Sequence, residues 1–243
     1  MSAAARRTAA SRPTTAPPRT SGLGSETAPR VSALLREDLR TIRERDPSVC
    51  GTAEALLHPS FAALALHRLS HSVHRRGHRA LARLLATACR LVTQIEIPPG
   101  ARLGRRVFID HGSSVVIGET AVVGDDVTLF HQVTLGSAGW WHDAGRPPGS
   151  PRHPTVEAGA VLGCGATVLG PVTIGRAAVI GANALVVRDV PSGARVLSPI
   201  AVVQLPAVPY PLPGPATVPP LPDLIVPDLS APDLLPVPSR STA

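Results

Sequence analysis

The chain has 243 residues, enough for one large domain or two small ones, with 44% hydrophobic but only 2% aromatic residues. Its core must therefore be assembled from Val, Ile, Leu and Ala, which suits thin stacked layers better than a bulky centre. The formal charge of +7 is carried by arginine alone, since there is no lysine. Without aromatic interleaving or zinc or helix-turn-helix spacing, that charge does not mark a nucleic-acid partner.

No apolar run reaches the roughly 18 residues of a membrane span, and the N-terminus lacks the apolar centre of a secretory signal. Cys50, Cys89 and Cys164 are too few and too scattered for a disulfide framework or a zinc site. The expectation is a cytoplasmic protein with no membrane partner and no metal.

Residues 1–30 are poor in acids and rich in Arg, Ser and Thr, a composition shared by transit peptides and disordered tails, and they read as a disordered tail. From 31 to 94 apolar residues recur at three- and four-residue spacings, as in ALLHPSFAALALHRLSHSVHRR. That spacing predicts a helical segment, which Pro59 and Gly77 divide into three or four helices. His58, His67, His71, His74 and His78 are expected on helix surfaces, because no carboxylates or thiols converge on them.

From residue 95 the period becomes six. Guide aliphatics fall at Ile97, Leu103 and Ile109, then at Ile117, Val123, Leu129 and Leu135, then at Val156, Leu162, Val168, Ile174, Ile180 and Val186. A small or β-branched residue follows four places after nearly every guide, including Ala101, Ser113, Ala121, Ala160 and Val190. The pattern predicts a β-helix with a triangular coil of about 18 residues, capped at one end by the helices. Hexapeptide coils of this kind wind left-handed, against the usual crossover rule. The predicted fold class is α+β: a helical segment over 31–94, a left-handed parallel β-helix over 95–203, and a disordered Pro-rich tail over 204–243, where Pro-Asp-Leu recurs at 222, 227 and 232.

Two places break the beat. Ile109 to Ile117 is a step of eight, just after Asp110 and His111, and Leu135 to Val156 is a step of 21 that throws out the loop GSAGWWHDAGRPPGSPRH. Insertions in a solenoid often build its binding face. Imidazole exchanges its proton near neutral pH, so His111 beside a carboxylate is a candidate general base. Arg152 and His153 at the end of the loop are candidate cations for a substrate carboxylate.

The segments IEIPPGARLGRRVFIDHGSSVVIGETAVVGDDVTLFHQVTLG and RHPTVEAGAVLGCGATVLGPVTIG, preceded by LREDLRTIRERDPS, resemble the serine O-acetyltransferase family of hexapeptide-repeat acyltransferases. The resemblance spans about residues 31–197. It implies acetyl transfer from acetyl-CoA to the L-serine hydroxyl on the way to cysteine. His111 would be the general base and Glu96 its acidic partner. Asp46 and Asp110 would grip the amino acid, and Arg152 and His153 would face its carboxylate. Acetyl-CoA would lie against Gly136, Ser137, Gly163, Cys164 and Gly165. It also implies trimers, often paired into hexamers, with sites at the seams.

The sequence departs from the family at Pro98, where His is common, and at Ser137, which replaces a second Gly. The loop from Gly136 to Arg152, with Trp140 and Trp141, is longer than usual, and Val202 stands where an Arg helps hold CoA. The chain closes on Ser-Thr-Ala rather than the Ile that enters the cysteine-forming sulfhydrylase, so the usual complex with that enzyme is not expected. Two other readings stay open: acetylation of another hydroxy amino acid, such as homoserine or a specialised-metabolite precursor, and a catalytically weakened scaffold paralogue.

Overall fold

Residues 30–147 and 149–199 are described by the computed structural model. Both tails, and Val202 with them, lie outside the described residues. Four helices come first: α1 (Val31–Arg45), α2 (Thr52–Leu57), α3 (Pro59–Arg75) and α4 (Arg79–Thr93). Proline at the first position of α3 forfeits no helical hydrogen bond, and the His58 side chain accepts from the Ser60 N–H to cap it. Helix α4 buries Ala82, Cys89 and Thr93 and packs chiefly on α3. It stops at Gln94, which turns left-handed (φ 59°). No helix among the described residues is long and apolar enough to cross a membrane.

Buried charge pins the helices to one another and to the β-helix. Arg68 of α3 grips Asp38 of α1 in a fork of 2.6 and 2.8 Å and also donates to the Gly104 carbonyl at 3.1 Å. At the end of α1, Arg45 reaches Thr128 Oγ1 at 3.0 Å.

One helical histidine departs from expectation. His67 is not on the surface but 3% exposed, because α3 turns it toward the first coil. Burial, then the positive charges of His71 and Arg68, pushes its imidazole from 6.5 down to about 3. The folded ring thus stays neutral while the unfolded ring takes up a proton below about pH 6.5. The increment is fully present above that pH and is lost as pH falls toward 3, by up to about 1.4 kcal/mol per pH unit. Urea midpoints of His67→Leu should therefore fall less between pH 7 and pH 5 than those of the unmodified chain.

Thirteen short strands among the described residues make the coil: β1 (Arg102–Leu103), β2 (Phe108–Ile109), β3 (Val116–Ile117), β4 (Val122–Val123), β5 (Thr128–Leu129), β6 (Thr134–Gly136), β7 (Thr155–Val156), β8 (Val161–Leu162), β9 (Thr167–Leu169), β10 (Thr173–Ile174), β11 (Val179–Ile180), β12 (Leu185–Val186) and β13 (Arg195–Val196). A short helix α5 (Trp140–Asp143) lies in the loop after β6. All pairings are parallel and fall into three sheets. The first is β1-β4-β7-β10, the second β2-β5-β8-β11-β13, and the third β3-β6-β9-β12.

The guide residues stack in register, one column per sheet. Ile109, Leu129, Leu162 and Ile180 pair in series and are all 0% exposed. The columns share one buried cluster with corner residues such as Val107, Val127 and Ala160, so no coil buries its guides alone. Corners are tight: a Cβ on Gly163 would stand 2.7 Å from the Ala182 N of the next coil.

The beat deviates where the sequence said it would. Phe108 pairs with Thr128, a step of 20 residues, whereas Val161 pairs with Val179, a step of 18. Ser113 does not fill the corner, as the four-residue rule expected. It is exposed, and Val115, 0% exposed, points inward instead. At the far end Val190 pairs with the guide Ile174 rather than serving as a corner, which shortens the last turn.

Candidate active site

Hydrogen bonds along the edge between the second and third sheets identify the two extra residues. Asp110 N–H bonds to the Leu129 carbonyl as Phe130 N–H does to Leu162, while Ser113, His131 and Cys164 each receive the backbone N–H of the next coil's turn. The residues left over are His111 and Gly112, both left-handed (φ 59° and 79°), and they bulge from the first coil. Gly112 N–H closes the bulge onto the Asp110 carbonyl at 2.7 Å. A Cβ on Gly112 would meet Ile95 Cδ1 at 2.5 Å in a conformation that disfavours side chains. Gly112→Ala should accordingly cost about 1–3 kcal/mol, read as a lower urea midpoint with unchanged slope.

The bulge presents His111 outward, its side chain 75% exposed, with Nε2 at 3.8 Å from Asp110 Oδ1. One coil further on, the His131 ring meets it edge-on with centroids 5.7 Å apart. From the end of α1, Asp46 comes within electrostatic reach of His111. Its carboxylate accepts from the Ser48 hydroxyl (2.7 Å) and N–H (2.9 Å) and faces His58 Nε2 at 3.3 Å. Those Ser48 bonds, with smaller pulls from His58 and His111, hold its pKa below the usual carboxylate range. Glu96 lies in register with Val116 of β3 but is ion-paired to Arg90 of α4 at 3.3 Å. Among the described residues, the carboxylate paired with His111 is Asp110.

Arg152 and His153 occupy a different edge, between the third and first sheets. His153 is 8% exposed, and Gly118 makes room for it, since a Cβ there would collide with its ring. Thr120 fixes it. Its Oγ1 accepts the backbone N–H groups of Arg152 (3.0 Å) and His153 (3.2 Å), and its own N–H donates to His153 Nδ1 at 3.2 Å. Burial, reinforced by Arg152, lowers the pKa of His153. A neutral ring accepting at Nδ1 carries its proton on Nε2, ready to donate to a carboxylate. Beside it Arg152 lines a hollow of about 250 Å³ under the extruded loop, where Asp143 and Arg146 pair at 3.3 Å.

The residues expected to line acetyl-CoA divide the same way. Gly163, Cys164 and Gly165 form the turn two coils along from the His111 bulge, about 10 Å at the usual strand spacing. Gly136 and Ser137 lie on the edge of Gly118 and His153. A Cβ on Gly136 would stand 2.9 Å from Leu169 Cδ2. Sequence reasoning missed Thr120, His58 and His131. His131 occupies the place that Ser113 holds one coil earlier, and its nearness to His111 follows from the bulge rather than from spacing.

The chain is thus a three-sided hexapeptide coil that carries an outward histidine–aspartate bulge and a bare glycine turn on one edge. No family model matches the chain. The serine acetyltransferase of Mycobacterium tuberculosis is 49% identical over 164 residues, covering 67% of this chain and 69% of that one. The crystal structure of Neisseria gonorrhoeae serine acetyltransferase in complex with serine is similar with a TM-score of 0.62 and 36% identity, over 74% of this chain and 68% of that one. That of Brucella abortus serine acetyltransferase in complex with coenzyme A has a TM-score of 0.60 at 35% identity, over 66% and 62%. The chain belongs to the serine acetyltransferase family, and its β-helix is left-handed like those it matches.

Proposed function

We propose that this protein transfers the acetyl group of acetyl-CoA to the hydroxyl of L-serine, giving O-acetylserine for cysteine synthesis. The observation that carries the reading is the bulge that sets the exposed His111 beside Asp110, on the edge that runs to the glycine turn at 163–165. His111 removes the hydroxyl proton as the serine oxygen attacks the thioester carbonyl carbon. The tetrahedral intermediate collapses with cleavage of the C–S bond, and the imidazolium returns the proton to the departing thiolate. No acyl-enzyme forms. The N–H groups of Gly163 and Gly165 are used on the Ile180 and His131 carbonyls, so the Cys164 N–H is the donor that polarises the thioester carbonyl, while the glycines let the pantetheine arm lie close.

Asp46 and Asp110 bind the serine ammonium, for which the depressed pKa of Asp46 keeps a charge available. Arg152 and His153 bind the carboxylate, the histidine through Nε2–H. Because the two sets occupy different edges of one prism, the centre is completed by a second copy of the chain in a trimer, the edge of His111 on one copy facing the edge of His153 on the next. Glu96 is the second acid behind the His111 ring, with Arg90 holding it in the single chain. The free thiols Cys50, Cys89 and Cys164 fit a cytoplasmic enzyme.

The test is an acceptor panel. Purified protein with acetyl-CoA should release free thiol with serine at a kcat/KM well above that with homoserine or threonine. A preference for homoserine would replace the acceptor, and no turnover with any would remove the enzyme.

A further inference from the structure

Between the helical segment and the first coil lies a cleft of about 1070 Å³ whose lining includes none of the acetyl-transfer residues. Its size is that of a small-molecule site. Arginine and histidine dominate its lining, and no carboxylate lines it. Arg68 and Arg105 are already held by Asp38 and Glu37. Arg75, Arg76 and Arg102 have no carboxylate partner among the described residues, and Arg76 is oriented by Ser72 Oγ at 2.6 Å.

His67 and His74 also line the cleft, but the Nδ1 of each is buried, so the guanidinium groups carry the charge that the cleft presents.

We propose that this cleft is a binding site for a small polyphosphate anion, separate from the acetyl-transfer centre. Three guanidinium groups without carboxylate partners among the described residues supply charge-assisted bonds to several phosphoryl oxygens. Apart from imidazoles no aromatic ring lines the cleft, so recognition is by charge rather than by stacking on a base. Like charge opposes pairing of this face with its counterpart on a second copy.

Isothermal titration of the intact protein with inorganic tripolyphosphate at low ionic strength tests this, with sulfate at matched ionic strength as the comparison. Saturable binding of one tripolyphosphate per chain is expected, much tighter than sulfate. The exposed-residue double variant Arg75→Ala/Arg102→Ala should weaken it about tenfold or more while leaving the KM for acetyl-CoA and the melting temperature unchanged. Absence of saturable binding, or equal binding by the variant, would overturn the proposal. A parallel rise in the KM for acetyl-CoA would overturn the separateness of the site, assigning these arginines to the CoA phosphates. Neither result bears on whether serine is acetylated.

Discussion

His111→Ala should lower kcat about 10²- to 10⁴-fold, the range a positioned general base contributes, with the KM for acetyl-CoA changed little. The side chain is 75% exposed and, among the described residues, meets Asp110 at 3.8 Å and the His131 ring at 5.7 Å between centroids, so its removal strands no deeply buried group and the melting temperature should stay within a degree or so. Activity measured as thiol release, beside a thermal melt, separates the roles. A large drop in melting temperature would make the bulge a folding element first, and unchanged turnover would take the base away from His111.

Asp38→Ala should have the largest effect on stability. Its carboxylate is 0% exposed and takes two bonds from Arg68, itself 4% exposed by side chain. Removing it strands a buried guanidinium, whose remaining bond is to the Gly104 carbonyl. Breaking a buried pair on one side costs about 3–5 kcal/mol, a large share of the 5–15 kcal/mol that holds a typical domain folded. The double variant Asp38→Leu/Arg68→Met removes both charges and should recover most of that loss. Urea denaturation of both variants checks the pair. If the double variant were as unstable as the single one, packing rather than stranded charge would be the cause.

The period-six guides specified the coil because each is an inward aliphatic that must meet its counterpart one turn away, and Ile109, Leu129, Leu162 and Ile180 do so in strict register. The interruptions were legible as a count but not as a shape. Placing Ser113 at the corner assumed that the chain resumes its beat at once, whereas the register resumes through Val115, and only the hydrogen bonds of Asp110 and Ser113 single out His111 and Gly112 as the extra pair. In the helices, a histidine looks the same on either face. His67 was read as exposed, and it is the tilt of α3 onto the first coil that buries it.

The motif names candidate site residues, yet their separation is invisible to it. Residues 111 and 153 belong to different edges because a sheet intervenes, a fact of winding that no local spacing carries. Glu96 illustrates the same limit, since its position opposite Val116 follows from register while its pairing with Arg90 depends on how α4 is seated.

The proposed acetyl-transfer centre is made from two chains, with the base on one and the carboxylate grip on the next. It is tested most directly by mixing two variants, His111→Ala and Arg152→Ala/His153→Ala, each expected to be nearly inactive alone. Unfolded and refolded together at equal amounts, they should regain serine acetylation, because about one seam in four then joins an intact His111 to an intact Arg152 and His153. A mixture no more active than the separate variants would contradict the shared centre and return the whole site to a single chain.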